Sequence, residues 1–318
     1  VQSGSEGTSG FYVRGGGPDQ NLILLDGVPV YNASHLFGFF SVFNADAIKN
    51  VRLTKGGFPA RFGGRLSSVL EIDMKEGNMK EFKGEGSIGL IASKLTLQGP
   101  IIKDKASWIV SARRTYIDVL AQPFIMASSD GERGGYYFYD LNAKLNYKIS
   151  DKDRIYWSVY TGDDKFYASY SDSYNNSSDA SKFGLSWGNL TSSLRWNHLF
   201  NDKLFSNTTV TFSEYLFDIG VEEEYSYNNF TDEFEFRYYS GIRDWGLKMD
   251  FDYLPNPNHY IKFGLSEIYH TFYPGQMDLM VIEPELDVNI DTSYVFSARL
   301  YSHDAYVYIE DDIKFNER

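Results

Sequence analysis

The sequence contains no cysteine, which excludes disulfide scaffolds, thiolate zinc sites and cysteine nucleophiles together. Basic residues are in deficit. The 30 Lys and Arg against 43 Asp and Glu leave a net charge of −13, which repels phosphate backbones and excludes nucleic acid as a partner. No apolar run approaches the ~18 residues a helix needs to cross a bilayer. The chain opens Val-Gln-Ser-Gly, with no initiator Met, basic segment or apolar segment of a secretory signal, and reads as the middle of something longer. Histidine is sparse, and the five present (His35, His198, His259, His270, His303) lack metal-ligand spacing. No H-E-x-x-H motif occurs, and no metal, cofactor or enzymatic chemistry is expected. Aromatic residues, by contrast, are abundant: 25 Tyr, 24 Phe and 5 Trp. Water-facing surfaces rarely need that load.

Two regions differ in character. Residues 1–80 are Gly-rich, with short apolar runs (22–25, 28–30, 51–53 and 69–72) between Gly, Asp and Asn clusters. These predict short strands with tight turns, plus a helical turn near 44–49 capped by Asn44. Residues 81–318 alternate with a period of two. Leu141, Ala143, Leu145 and Tyr147 interleave with Asn142, Lys144, Asn146 and Lys148. Trp245, Leu247, Met249, Phe251 and Tyr253 interleave with Gly246, Lys248, Asp250 and Asp252. One face of each strand is apolar and the other polar.

A soluble sandwich buries the apolar face, whereas an outer-membrane barrel turns it to lipid and lines its lumen with the polar one. Three features favour the barrel. Short polar turns at 99–105, 150–153, 201–203 and 255–258 alternate with long connections at 117–135, 166–182, 220–232 and 273–292. Several strands, such as 237–253, exceed the ~5–6 residues usual in globular sheets. Aromatics gather near predicted strand ends, as at 136–139 and 156–157. About ten strands are predicted, too few to enclose a folded domain, so a fragment is expected. Lys144, Lys148, Lys248, Asp250 and Asp252 should line the lumen as wetted structural residues.

Other motifs have plain readings. Gly84-Glu85-Gly86-Ser87-Ile88-Gly89 fits G-x-G-x-x-G, but a polar stretch precedes it and an alternating strand follows, so the glycines serve a curved sheet. The acidic cluster Glu222, Glu223, Glu224, Asp232, Glu233 and Glu235 reads as a solvated external loop. The Tyr/Ser/Asn-rich tract at 167–178 suits an adaptable binding loop or a loop with no specific role.

The informative stretch is 11–72. It holds Val13-Arg14-Gly15, an L-x-D-G-V-P from Leu24 to Pro29, an I-x-x-V-x-x-x-K-G from Ile48 to Gly56, and Phe62-Gly63-Gly64. In this order and spacing the stretch resembles the plug domain of TonB-dependent outer-membrane transporters, especially the Bacteroidetes type. Leu97-Gln-Gly-Pro-Ile and Ser111-Ala-Arg-Arg-Thr-Tyr-Ile-Asp look like that family's early barrel strands, so the resemblance spans nearly the whole chain. Two departures stand out: Lys55-Gly56 replaces a common Arg-Gly, and 64–72 replaces a G-G-x-I-N segment.

The resemblance implies a partial all-β membrane barrel, about 10 of an expected 22 antiparallel strands, with an N-terminal α+β plug domain (1–80) in the lumen of the barrel part (81–318). It implies import of a small nutrient ligand of the siderophore, cobalamin, glycan or peptide class, without enzymatic chemistry or cofactor. The location would be the outer membrane of a Gram-negative bacterium. Its partners would be the TonB-ExbB-ExbD energising complex and outer-membrane lipid and LPS, with a surface lipoprotein left open. A plug in a polar lumen needs breakable charge pairs, and the plug-side candidates are Arg14, then Lys55, Arg61 and Arg65. Ligand contacts at the plug apex are expected from Gly17, Asp19, Gln20, Tyr31, Asn32 and His35. Asp26 with Gly27 reads as a turn. Two alternatives stay open: a non-transporting outer-membrane receptor or adhesin, and a soluble β-rich binding module.

Overall fold

A computed structural model describes residues 12–13, 15–38, 40–64, 67–128, 132–295 and 298–315. Two main sheets organise them. The smaller contains β1 (Asn21–Leu25), β2 (Val28–Pro29), β5 (Ile48–Lys55) and β6 (Ser68–Met74) in the order β2-β1-β6-β5. β1 and β6 run parallel, and the other pairs run antiparallel. The short apolar runs of the sequence supply these strands. Leu25, Val30, Val42, Ile72 and Met74 form the core, into which Tyr160 of the large sheet also reaches. β3 (Ser34–His35) and β4 (Phe40–Ser41) make a small hairpin beside it. The helical turn near Asn44 is a single 3-10 turn, Ala45–Ala47, whose Asp46 N–H donates to the Asn44 side chain; β5 starts at once at Ile48.

The large sheet is an antiparallel meander. It runs through β7 (Lys83–Ile88), β8 (Ala92–Ile102), β9 (Ala106–Thr115), β10 (Arg133–Lys148), β11 (Asp153–Tyr174), β12 (Ser177–Asn201), β13 (Leu204–Tyr227), β14 (Phe230–Asn256) and β15 (His259–Glu283). β16 (Val288–Val295) and β17 (Leu300–Ile313) pair successive halves of β15, so together they occupy the tenth position. The sheet is a partial, unclosed barrel with β7 at one edge and β16/β17 at the other. Gly84 to Ile88 lie within β7, as the strand reading of the glycine motif required.

Three expected long loops prove to be paired strand. β11 and β12 meet at a two-residue turn whose Asn175 has φ +51°, and β13 and β14 meet at one whose Asn228 has φ +54°. β15 and β16 join through Pro284–Leu286 and Asp287. The first two ribbons were hidden because both of their faces are largely polar, and the third because Leu279 to Ile282 are apolar on both faces; either way the period-two signal is lost while backbone pairing continues. The remaining long connection, between β9 and β10, carries the helix α1 (Ile117–Ser128).

The wall is inside out relative to a soluble protein. One row of cross-strand neighbours runs Leu145, Trp157, Leu194, Val210 and Leu247, each 38–50% exposed. The adjacent inward row holds Lys144, Ser158 and Ser193, all at most 6% exposed beneath the small sheet. Polar pairs bound the outward apolar band. On the side of the ribbons these are Tyr139 with Asp163, Glu214 with Arg243, and Glu267 with His303; on the side of the short turns, Asp153 with His198 and His259 with Asp311. From Tyr139 to Tyr147 a strand tilted by about 40° climbs about 20 Å, close to the height of a lipid-facing barrel band.

Candidate functional site

The polar lumen face and the small sheet meet through four clusters. In the first, the β1–β2 turn inserts into the wall. Asp26 and Gly27 both have positive φ, +48° and +87°, a combination that suits a Gly at the second position. The turn presents the Asp26 carboxylate to Lys144 of β10, whose Nζ lies 3.0 Å from Oδ1 and 2.9 Å from Oδ2. The Met74 N–H also donates to Oδ1, at 3.1 Å, and Lys144 donates to the Met74 carbonyl at 3.2 Å. Ser193 and Arg195 of β12 donate to the Asp26 carbonyl, at 3.2 and 2.9 Å. Lys144, expected to be wetted, is therefore a buried ion-pair partner, because the small sheet covers that part of the lumen face.

The second cluster encloses His35. Its Nε2 lies 2.8 Å from Asp140 Oδ1 and its Nδ1 lies 2.5 Å from Asp164 Oδ2. Its ring stacks on Phe138 with centroids 4.0 Å apart. Burial opposes the imidazolium, but the hydrogen bonds and charges of Asp140 and Asp164 more than offset it, raising the pKa above 6.5. The charged ring donates to both carboxylates. Arg113 and Tyr160 also donate to Asp140, while the Leu36 N–H and Tyr136 donate to Asp164. Two cations face two anions, so the cluster is electrically closed. Expected at the ligand-binding apex, His35 is instead 1% exposed and serves as a clamp between plug and wall.

In the third cluster the Tyr31 hydroxyl donates to Asp244 Oδ2 at 2.5 Å, and His270 lies 2.7 Å from the other oxygen and 3.4 Å from Asp304. Asn32 donates to the Tyr215 hydroxyl at 3.5 Å, and its carbonyl accepts from Asn189 at 3.4 Å. The fourth joins Arg61 to β17: its guanidinium is 3.6 Å from Glu310, its N–H donates to Glu310 at 2.9 Å, and its carbonyl accepts from Tyr306 at 2.9 Å. A cavity of about 720 Å³ lies between these last two clusters, with Tyr31, Arg61, Arg195, Lys248 and His270 on its lining.

The remaining predicted residues lie elsewhere. Arg14 and Arg65 fall outside the described residues, and Lys55 is exposed at the end of β5. Gly17 and Gln20 belong to the plug's own hydrogen bonding: the Gly17 carbonyl accepts from Asn21, and the Gln20 carbonyl accepts from the Ser67 N–H. Asp19 is exposed beside them. The structure thus brings Tyr31, Asn32 and His35 together on the wall side and keeps Gly17, Asp19 and Gln20 within the plug's own network. Sequence reading missed Asp26, Lys144, Asp140, Asp164 and Asp244 as contacts. The available signal was a charged residue on the polar face of an alternating strand, which says nothing about its partner.

Residues 1–68 match the family model described as TonB-dependent Receptor Plug Domain. No curated protein matches the chain. Among solved structures, the chain is similar to the ferric-catecholate import receptor Fiu from E. coli K12, at 8% identity and TM-score 0.48, covering 95% of this chain and 61% of that one. It is similar to the ferric yersiniabactin uptake receptor FyuA from Yersinia pestis, at 11% identity and TM-score 0.43, covering 97% and 56%. It is also similar to the siderophore receptor PirA from Acinetobacter baumannii, at 13% identity and TM-score 0.34, covering 84% and 61%. The chain thus spans 56–61% of the length of these three structures.

Proposed function

We propose that the chain is the plug and first wall strands of a TonB-dependent outer-membrane receptor that imports a small nutrient with no covalent chemistry. The observation that carries this reading is the inverted wall with a separate sheet seated against its polar face through buried, breakable charge pairs. A permanent interdomain contact would be better served by apolar packing, because a buried ion pair gains little over well-packed hydrophobic residues. Polar seating suits a plug that must be displaced. The plug match over 1–68 supports the same assignment. The energising partner would be the TonB-ExbB-ExbD complex, and the location would be the outer membrane of a Gram-negative bacterium. The division into plug (1–80) and wall (81–318) is part of the proposal, as is a Bacteroidetes-type membership.

Arg61 and Tyr31 line the plug–wall cavity and are proposed as residues that shape the passage opened when the plug moves. Uptake by cells expressing the intact receptor tests the reading. Accumulation of a nutrient panel should require the receptor and collapse when the energising complex is deleted. Receptor-dependent binding that persists with no accumulation in either strain would replace the transporter with a surface receptor or adhesin.

A further inference from the structure

α1 lies on the outer surface of the wall, where its polarity is reversed. The face is fixed by β10. Tyr136 and Phe138 meet Leu36 and His35 in the lumen, so the residues between and beside them, Gly135, Tyr137 and Tyr139, point outward. The start of α1 sits directly over Gly135, where an added Cβ would lie 2.7 Å from the Cβ of Asp118. Arg114 binds Asp118 at 3.1 Å and covers the Tyr137 ring at 4.7 Å, on that same outer face. From Tyr139, at the edge of the apolar band, to Gly135 is about 13 Å along the strand, or about 10 Å in height.

An ordinary surface helix turns apolar residues to the protein and polar ones to water. Here Asp118 is buried against the wall and Gln122 has its amide nitrogen buried, with Ala121 and Ile125 on the same side. The exposed side is Val119, Leu120, Pro123, Phe124, Met126 and Ala127, without one polar residue. Phe124 is 78% exposed and Val119 61%. A partner protein would favour a polar rim around such a patch. This face is instead apolar throughout, and it stands on the outer side of the wall above the Tyr139–Asp163 pair that bounds the outward band.

We infer that α1 is an interfacial helix whose exposed face is immersed at the headgroup–acyl boundary of the outer leaflet. With twelve residues, α1 is too short to span, and Asp118, its one charged residue, is neutralised by Arg114 on the wall. The helix would fix the height of the β9–β10 connection, and with it the rim of the barrel, relative to the membrane.

The inference rests on the membrane reading of the wall, so the test contains a separate check of that reading. This stretch has no cysteine, so single introduced thiols carry the spin label once any cysteine elsewhere in the intact receptor has been replaced by serine. The intact receptor bearing a label at Phe124→Cys, Met126→Cys, Leu194→Cys or Asp151→Cys is reconstituted in phosphatidylcholine vesicles. Collision rates are then measured with oxygen, which concentrates among acyl chains, and with a nickel chelate, which stays in water. The oxygen-to-nickel ratio at 124 and 126 should approach that at 194 and exceed that at 151 several-fold. A nickel-dominated ratio at 124 and 126 with oxygen dominant at 194 overturns the helix assignment alone. Shielding of 124 and 126 from both reagents also overturns it, in favour of a protein cover. Nickel dominance at 194 removes the membrane reading itself. If the Phe124 variant fails to assemble, Val119→Cys takes its place.

Discussion

Lys144→Met should unseat the plug without disturbing the wall. The side chains of Lys144 and Asp26 are 7% and 4% exposed, which places the pair at the buried limit and not among surface pairs worth 0–1 kcal/mol. Without the ammonium, the Asp26 carboxylate keeps the Met74 N–H, while the Ser193 and Arg195 contacts go to its carbonyl. Removing one partner of a buried pair costs about 3–5 kcal/mol, because the other charge stays desolvated. That is about two to four powers of ten in the seating equilibrium at about 1.4 kcal/mol per decade. Asp26→Asn should cost a similar amount by stranding the lysine. The double variant strands neither charge and should recover most of the loss, so that its cost falls well below that of either single variant. Hydrogen exchange of the intact receptor in detergent reads both parts of the expectation. Plug amides such as Asp26 and Val30, bonded to the Ile72 and Ile23 carbonyls, should lose protection while β10–β11 amides keep theirs. Wild-type protection in the single variants, or a double variant no better than either, would refute the reasoning.

Three further outcomes follow from the same geometry. The raised pKa of His35 means that its clamp is complete below the unfolded value of about 6.5 and is lost as pH climbs through the raised folded value. Exchange at the Leu36 amide should therefore accelerate beyond its ordinary base catalysis across that range, and His35→Gln should flatten the excess. Asp140, Asp164, Tyr136, Tyr160 and Arg113 surround the ring. Gly27→Ala should destabilise the plug by about 1–2 kcal/mol through backbone strain at φ +87°, since its Cβ would stand an ordinary 3.4 Å from Arg195; plug exchange or melting checks it. Leu194→Arg should cost about 2–4 kcal/mol of folding into bilayers, and a negligible change in a urea titration with vesicles would argue against a lipid-facing band.

The wall was legible from sequence because its two solvents differ. Where lipid faces one side and a polar lumen the other, Leu141 to Lys148 and Trp245 to Tyr253 alternate visibly, and the short turns fall between the strands. Above the band both sides of a ribbon face water, so Ser169 to Ser181 carries no alternation and reads as a loop although every residue pair is in register. α1 escaped for two reasons. Pro123 interrupts its helical run, and its apolar face turns away from the protein, against the pattern by which helices are found. The plug–wall contacts were illegible for another reason: Asp26 and Lys144 are 118 residues apart, and a long-range pair leaves no local mark on either strand. The motif Leu24 to Pro29 gave the turn correctly, but only the fold shows that the turn aims a carboxylate into the wall.

The central claim is that this chain belongs to a membrane barrel with a plug seated against its polar face. Envelope fractionation of the intact gene product, with gel mobility compared before and after boiling, tests it most directly. The account predicts recovery in the outer membrane and a heat-dependent mobility shift, as a closed barrel resists detergent until heated. A soluble product with identical mobility in both samples would contradict the barrel, and the transport reading would fall with it.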